Sequence, residues 1–252
     1  MKRDMYSEAE DDGAPNRVPA RALSIGAHPD DAEFGAGGTL AGWTAAGCEV
    51  TMLILTDGSK GSWNPAVTNA ELIEQRRDEQ HAAAGVLGAA RSIMLGYVDG
   101  ELEYSLDLRE EICMWIRRLR PDVVLTHDPW QRYQLHPDHR VTGLAAIDGV
   151  VAARDHLFFP HQLGDGVEKH RPDWIYLWSA DEADHWVDVS KTFDTKIEAL
   201  LAHSSQGVTT MGNAHGSETE RAQFRARIER WSKRQGEQPG LDLAESFKVL
   251  SP

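Results

Sequence analysis

The chain has 252 residues, of which 41% are hydrophobic and 26% charged, a balance that excludes a wholly disordered protein and favours one folded α/β domain. Its formal net charge of −14 disfavours binding to phosphate backbones or anionic lipid, so we expect neither a nucleic acid nor a membrane as partner. No apolar run is long enough to span a bilayer, and Cys48 and Cys113 form no C-x-x-C pair, which favours a reducing, cytoplasmic location.

Residues 1–20 lack the apolar core of a signal peptide, and we predict a disordered leader there. Short apolar runs then alternate with longer helical patterns. Strands are predicted at 22–27, 49–56, 91–98 and 122–127, and helices at 35–47, 69–87, 107–120 and 136–154. This order is typical of βαβ units. It predicts a Rossmann-like α/β fold, with a mostly parallel sheet, helices on both faces and a single domain over residues 21–252.

In the last hundred residues the alternation of apolar strands and helical patterns is weaker. Two strands are predicted at 173–180 (DWIYLWSA) and 185–190 (HWVDVS), and a helix at 193–205 (FDTKIEALLAHSS). A charged helix is predicted from Glu218 to Lys233, and no further element is predicted around it.

Polar segments follow three of the predicted strands, at residues 27–33 (AHPDDAE), 56–62 (TDGSKGS) and 127–140 (HDPWQRYQLHPDHR). Ligands of open parallel sheets bind outside the carboxyl ends of the strands, so we expect the functional site where these segments meet.

Two of these segments contain near-copies of one tetrad, HPDD at 28–31 and HPDH at 136–139. A single loop histidine is more often a surface or core residue than a metal ligand. Two such tetrads at strand ends favour a metal site instead. Imidazole and carboxylate groups bind Zn²⁺, and a catalytic zinc keeps three protein ligands and one open position. The sequence therefore predicts a site for a divalent metal ion such as Zn²⁺.

Taken together, the motifs resemble the PIG-L and LmbE-like family of zinc-dependent N-acetylglucosamine-type deacetylases, which includes the mycothiol and bacillithiol pathway deacetylases. The matching segments lie at 27–41, 55–61, 76–88, 96–102, 136–140 and 187–206. The resemblance implies hydrolysis of an N-acyl amide, in the first place N-acetyl, on an amino-sugar-like small molecule, with release of acetate and a free amine. It also implies assembly into a homo-oligomer.

The resemblance assigns roles to individual residues. His28, Asp31 and His139 are implied to hold the zinc ion, and Asp30 to act as general base. His136 is implied to act near the substrate carbonyl, oriented by Asp138.

Further residues have weaker support. Asp57, Ser59, Trp63 and Arg76 are predicted to bind substrate, although Asp57 and Ser59 also suit a plain turn and Arg76 a surface ion pair. His127 ends a predicted strand and Asp128 follows it; both are candidates to orient a metal ligand, and a capping role fits them equally well. Trp130 is a possible sugar contact, and the roles of His203 and Gln206 stay open.

Two features depart from the family pattern. Ala32 follows Asp31, with Glu33 next, where many members carry the acid directly. The segment 130–135 (WQRYQL) before His136 also differs, and Tyr133 is its only tyrosine.

Three alternatives remain open. The protein could be an amidase for a larger thiol-conjugate amide, or a zinc- or sugar-binding protein without turnover. A dinucleotide-binding turn is disfavoured because residues 27–30 (AHPD) replace the G-x-G-x-x-G turn.

Overall fold

Seven strands form one sheet in the computed structural model of this protein, which describes residues 17–252. Most of the predicted leader, residues 1–16, lies outside the described residues. The strands are β1 (Arg21–Gly26), β2 (Glu49–Thr56), β3 (Arg91–Tyr97), β4 (Val123–His127), β5 (Trp174–Trp178), β6 (His185–Asp188) and β7 (Ala244–Leu250). Their order in the sheet is β3-β2-β1-β4-β5-β7-β6, and β7 runs opposite to the other six strands.

Helices cover both faces of this sheet. They are α1 (Asp31–Ala45), α2 (Asn69–Leu87), α3 (Leu106–Leu119), α4 (Pro137–Arg154), α5 (Phe193–Leu201) and α6 (Glu218–Gly236). One apolar core joins the sheet to α1 and α2, and a second core joins its other face to α3 and α4. The prediction of a single α/β domain with a mostly parallel sheet is therefore confirmed. No helix among residues 17–252 is long and apolar enough to cross a membrane.

Residues at the two ends of helix α2 define where it begins and where it ends. Thr68 accepts a hydrogen bond from the backbone N–H of Glu71, and the Glu71 side chain accepts one from the Thr68 backbone. This reciprocal capping box starts the helix. Gly88 ends it in the left-handed region at φ 75°, where glycine carries no Cβ penalty.

Helix α1 begins earlier than predicted. The sequence predicts a helix at 35–47, whereas α1 spans Asp31–Ala45. Asp30 adopts φ 103°, in the left-handed region, so the chain turns sharply between β1 and the helix. As a result, Asp31 lies in the first helical turn, where the helix dipole favours a carboxylate.

Strand β7 is absent from the sequence prediction. Its residue Glu245 is buried and accepts hydrogen bonds from the backbone N–H groups of Gly38 (2.9 Å) and Thr39 (2.8 Å). Lys196 of α5 donates to the same carboxylate at 2.5 Å. A carboxylate inside the sheet breaks the alternation of apolar and polar residues that predicts a strand. Its backbone partners are more than 200 residues away and Lys196 is 49 residues away, so the local sequence does not reveal them.

The strand order places a crevice at the middle of the sheet. Strand β1 is central, with β2 on one side and β4 on the other. The chain moves outward from β1 to β3 and then returns to β4, so the loops after β1 and β4 leave in opposite directions. This reversal is the place where open α/β sheets bind ligands.

Candidate metal centre and active-site cleft

The loops that follow β1 and β4 bring the two HPD tetrads together. His28 Nδ1 lies 3.2 Å from His139 Nε2 and 3.4 Å from Asp31 Oδ2. His139 Nε2 lies 3.2 Å from Asp31 Oδ1. Ligands that bind one tetrahedral zinc ion at about 2.0–2.1 Å are separated by roughly 3.3–3.4 Å. The three residues that the resemblance implies as ligands therefore lie at distances close to this spacing, with His28 and His139 nearest to different oxygens of the Asp31 carboxylate.

Neighbouring side chains extend this cluster. Among residues 17–252, three overlapping groups have ligand atoms close enough to hold a metal ion: His28, His136 and His139; His28, Asp99, His136 and Asp138; and Asp31, His127 and His139. Each group contains at least one member of the predicted trio. The donors are imidazole nitrogens and carboxylate oxygens, the set that suits zinc when no thiolate is present.

His127 holds Asp31 in place. Trp178 Nε1–H donates to His127 Nδ1 at 3.1 Å, so the proton of the neutral ring is on Nε2, which lies 3.0 Å from Asp31 Oδ2. Burial lowers the pKa of His127 to about 4, although the Asp31 carboxylate opposes this shift. His127 is therefore neutral at pH 7 and donates to Asp31, an outer contact of the kind that orients metal ligands.

Carboxylates surround His28 on several sides. Its Nε2 lies 3.1 Å from Asp138 Oδ2 and 3.1 Å from Asp99 Oδ1. Burial opposes protonation of His28, but hydrogen bonds to Asp138, Asp31 and Asp99 outweigh it and raise the pKa to about 12. The imidazolium thus supplies positive charge to a cluster of acids. A divalent cation bound to the neutral imidazole would also supply positive charge to these acids, so the residues fit a bound metal.

Asp30 lies beside this cluster with a free oxygen. Its Oδ2 is buried, makes no hydrogen bond among the described residues and lies 3.5 Å from Arg76 Nη2. Burial raises the pKa of Asp30 to about 6, although the charges of Arg76 and His203 act in the opposite direction. A carboxyl group with a pKa near neutrality can both accept and return a proton.

His136 and Asp138 have different surroundings. The His136 ring stacks on His139, with centroids 4.8 Å apart, and its Nδ1 makes no hydrogen bond among the described residues. Burial, reinforced by the charge of His28, lowers the pKa of His136. Asp138 Oδ2 accepts from the backbone N–H of Gly100 at 2.7 Å and contacts His28, so its hydrogen bonds orient His28 rather than His136.

The predicted substrate residues fall into two groups. Arg76 and Trp63 line the cleft. The guanidinium of Arg76 is buried and donates to the carbonyl oxygens of Pro29 and Gly58. Asp57 and Ser59 do not line the cleft. Asp57 Oδ1 instead accepts from the backbone N–H groups of Ser59 (2.9 Å) and Asp99 (3.1 Å), so it shapes the loop after β2.

Asp128 also acts within its own loop. Its Oδ1 accepts from the backbone N–H of Trp130 at 2.9 Å, and its backbone N–H donates to the Trp178 carbonyl at 3.1 Å. These bonds fix the start of the segment that leads to His136. Trp130 itself is mostly exposed.

Asp99 is a cleft residue that the sequence analysis did not single out. It lines the cleft beside His28, and its pKa is lowered because hydrogen bonding and the charge of His28 outweigh its burial. The available signal was its position: it follows the predicted strand at 91–98, at the same sheet edge as the tetrads.

Glu33 supplies the carboxylate that many family members carry directly after the residue equivalent to Asp31. Its carboxylate is fully buried, accepts from Gln80 Nε2 at 2.8 Å and lies 3.5 Å from His203 Nε2. Gln80 Oε1 in turn accepts from the backbone N–H of Asp30 at 3.2 Å. The acid is therefore present two residues after Asp31, where it supports the turn that carries Asp30.

One cavity of about 630 Å³ is lined by His28, Asp30, Asp31, Arg76, Asp99, His127, His136 and His139. Its inner wall carries His28, Asp30, Asp31 and Arg76. Its outer wall includes aromatic and amide side chains, among them Trp63, Gln131, Gln134 and Trp231. A cleft with several ionisable groups at its base and aromatic side chains on its walls suits a small polar ligand.

Comparisons with known proteins agree with this geometry. Residues 23–150 match the family model described as "PIG-L: GlcNAc-PI de-N-acetylase". The chain is 36% identical over 186 residues to a diacetylchitobiose deacetylase from Thermococcus kodakarensis, covering 74% of this chain and 70% of that protein. It is 28% identical over 199 residues to a probable N-acetyl-alpha-D-glucosaminyl L-malate deacetylase 2 from Bacillus anthracis, covering 74% and 81%.

A solved structure extends the similarity over most of the chain. It is that of N,N'-diacetylchitobiose deacetylase from Pyrococcus horikoshii complexed with its inhibitor MPG, with a TM-score of 0.85 and 29% identity, covering 94% of this chain and 86% of that one. Since the family model spans about half of the sequence and includes every residue of the metal cluster, this chain belongs to the PIG-L family.

Proposed function

We propose that this protein hydrolyses the N-acetyl amide of an amino-sugar-like small molecule and releases acetate and a free amine. The observation that carries the proposal is the cluster of His28, Asp31 and His139, whose ring nitrogens and carboxylate oxygens lie 3.2–3.4 Å apart. Beside it, Oδ2 of Asp30 makes no hydrogen bond among the described residues. The names of the two deacetylase relatives support the same reaction.

His28, Asp31 and His139 would hold the metal ion, and two imidazole nitrogens with one carboxylate favour zinc. When bound, zinc lowers the pKa of water and polarises an amide carbonyl. His127 would keep the Asp31 carboxylate oriented through its Nε2–H.

Asp30 is proposed as general base. Its Oδ2 accepts the proton of the attacking water, and the nearby Arg76 guanidinium stabilises the carboxylate before that transfer. The same oxygen can then return the proton to the leaving amine nitrogen. His136 is the other candidate donor because its Nδ1 has no protein partner. A hydrogen bond from His136 to the carbonyl oxygen would stabilise negative charge that develops there.

Arg76, Asp99 and Trp63 are proposed to bind the sugar. The guanidinium of Arg76 donates hydrogen bonds and the carboxylate of Asp99 accepts them, which suits vicinal hydroxyl groups. Trp63 offers an aromatic face at the rim. Asp57 and Ser59 would contribute indirectly, through the backbone of the loop that carries Lys60 and Gly61 into the cleft.

Acetate release tests this proposal. Zinc-loaded protein is assayed with N-acetylglucosamine, N,N'-diacetylchitobiose, an N-acetylglucosaminyl malate and a thiol-conjugated bulky amide. We expect acetate from at least one of the acetamido sugars. Hydrolysis of the bulky amide alone would indicate an amidase for larger conjugates. Zinc binding without turnover of any substrate would indicate a binding protein.

A further inference from the structure

The peptide unit between Pro29 and Asp30 is held at both of its polar ends by helix α2. Arg76 Nη2 donates a hydrogen bond to the Pro29 carbonyl oxygen, and the Asp30 backbone N–H donates to Gln80 Oε1 at 3.2 Å. Arg76 and Gln80 are four residues apart on α2 and therefore lie on the same face of the helix. Because the C=O and N–H of a planar peptide point in opposite directions, the two contacts together fix the orientation of this peptide. We call Arg76 and Gln80 the peptide clamp.

The side chain of Gln80 is in turn fixed by a buried acid. Gln80 Nε2 donates to Glu33 Oε1 at 2.8 Å, and both side chains are fully buried. A carboxylate accepts hydrogen bonds, so the amide nitrogen of Gln80 faces Glu33 and its oxygen faces Asp30. The amide cannot turn away from either partner without leaving a buried polar group unpaired.

The peptide clamp supports an uncommon backbone conformation at Asp30. Its φ of 103° lies in the left-handed region, which is unfavourable for a residue with a Cβ and persists only where surrounding contacts enforce it. Rotation of the Pro29–Asp30 peptide would change this φ and would break both hydrogen bonds of the clamp. The clamp therefore stabilises the left-handed conformation of Asp30.

This conformation keeps the Asp30 carboxylate away from the first turn of α1. Asp30 is the N-cap residue of α1, and an aspartate at an N-cap usually has extended backbone angles and accepts from an N–H of that turn. Here the side chain makes no such bond, and Oδ2 makes no hydrogen bond among the described residues. The carboxylate is therefore free to face the cleft, which Asp30 lines.

We infer that Gln80 is a positioning residue, which holds the Pro29–Asp30 peptide so that the Asp30 carboxylate stays uncapped and within reach of the attacking water. The inference rests on the proposed function for the role of Asp30 as base. Without Gln80 the peptide is held at one end only, and Asp30 can relax to the capping conformation. In the described part of the chain Gln80 does not line the cleft, and its hydrogen bonds go to Asp30 and Glu33. Its loss should therefore affect the chemical step rather than substrate binding.

Gln80→Met tests the inference. Methionine fills a similar volume but offers only a weakly accepting sulfur to Asp30 and no donor to Glu33. If Gln80→Met does not fold, Gln80→Asn replaces it, because an amide that is one methylene shorter stays polar but cannot reach both partners.

Gln162→Met is the matched control. Gln162 is also a buried glutamine with one hydrogen bond of each kind, since its Oε1 accepts from Arg117 at 2.9 Å and its Nε2 donates to the Glu110 carbonyl at 2.8 Å. It lies outside the lining of the cleft. A general loss of stability should therefore appear in both variants, whereas a loss of positioning should appear in Gln80→Met alone.

Steady-state kinetics of the zinc-loaded protein, with the acetamido sugar that the wild type hydrolyses fastest, give the first readout. We expect Gln80→Met to lower kcat by roughly 10- to 100-fold, because a small displacement of a catalytic group is enough for such a loss. KM and zinc affinity should stay within about threefold of wild type, and Gln162→Met should keep kcat within about twofold. A wild-type kcat in Gln80→Met, an equal loss in Gln162→Met, or a parallel fall in zinc affinity would overturn the inference.

Hydrogen exchange separates this inference from the proposed function, because it needs no substrate. The exchange rate of the Asp30 amide is measured by NMR and divided by that of the Leu125 amide in buried strand β4, which corrects for global unfolding. We expect this ratio to rise by roughly tenfold or more in Gln80→Met and to stay unchanged in Gln162→Met. An unchanged ratio in Gln80→Met would overturn the inference even if the wild type deacetylates sugars. A raised ratio would support the peptide clamp even if no sugar is hydrolysed.

Discussion

The indole Nε1–H of Trp178 donates to Nδ1 of His127 across 3.1 Å, and the opposite nitrogen of the same ring contacts Asp31. We expect Trp178→Phe to weaken zinc binding by roughly 10- to 100-fold, because the His127 tautomer is no longer fixed. Competition with a fluorescent chelator measures this change. Trp174→Phe, on the same strand, is the matched control. Wild-type zinc affinity in a folded Trp178→Phe protein would contradict the role given to this pair.

Asp30→Asn should abolish most activity while zinc is retained. Asparagine tolerates the left-handed region, so the variant keeps the backbone of Asp30 at φ 103° but loses the proton acceptor. We expect kcat to fall by about 10²- to 10⁴-fold. Asp165→Asn, at an exposed residue with φ 50°, controls for the same substitution in the same backbone region. If the Asp30 variant turned over substrate at the wild-type rate, the base would have to be another group.

Gly35→Ala should destabilise the fold and disturb the cleft. A Cβ at this position would lie 2.5 Å from Cγ of Trp178, whose ring is already held by His127. We expect the free energy of unfolding to fall by about 1–3 kcal/mol. In contrast, a Cβ on Gly85 meets nothing within 4 Å, so Gly85→Ala should raise it by about 0.5–1 kcal/mol. Urea denaturation measures both changes, and equal effects of the two substitutions would refute the steric argument.

Metal removal should lower thermal stability. A ligand that binds only the folded state adds about 2.7 kcal/mol when its free concentration is 100 times Kd. Zinc should therefore raise the melting temperature of the chelator-treated protein, and His139→Ala should remove this response. His161→Ala, at an exposed histidine that pairs with Glu110, should retain it. A melting temperature that does not respond to zinc in the wild type would count against the metal site.

Stability should decline in mild acid partly because of His170. Burial lowers the pKa of His170, although its 2.7 Å hydrogen bond to the Pro121 carbonyl opposes the shift. The unfolded chain then binds this proton more readily, so the contribution is complete above about pH 6.5 and declines below it.

Glutamine at position 170 keeps a donor for the Pro121 carbonyl but does not titrate. We therefore expect His170→Gln to lose less unfolding free energy than wild type between about pH 7.5 and pH 5.5. Urea denaturation at both pH values checks this, with exposed His156→Gln as control. An unchanged pH dependence would show that other groups account for the acid sensitivity.

The sequence was sufficient where local patterns determine structure. The βα order up to Arg154 follows from apolar periodicity, caps and turn residues, and the structure confirms it. The convergence of His28, Asp31 and His139 was also predictable, because parallel strands end at one sheet edge and both tetrads follow strands. Which aspartate acts as base stays a prediction that rests on the family resemblance and on the free oxygen of Asp30.

Other features depend on contacts between distant residues. Strand β7 contains the buried Glu245, which is satisfied by backbone groups of α1 and by Lys196. Asp57 points its carboxylate into its own loop, whereas Asp99 reaches the cleft, and only the folded backbone distinguishes these two strand-end aspartates. The local sequence does not show which loop carboxylate will accept a hydrogen bond from a backbone N–H.

Part of the cleft wall comes from a different region of the chain than the metal cluster. All the residues proposed for metal binding and proton transfer lie between 28 and 139, whereas Gln206, Thr209, Thr210 and Trp231, which also line the cleft, come from the C-terminal third. None of these four residues is a proposed metal ligand, so substitutions at these positions can accumulate without replacing one. We expect an exchange of residues 204–210 between relatives to transfer substrate preference while the proposed metal-binding residues stay unchanged.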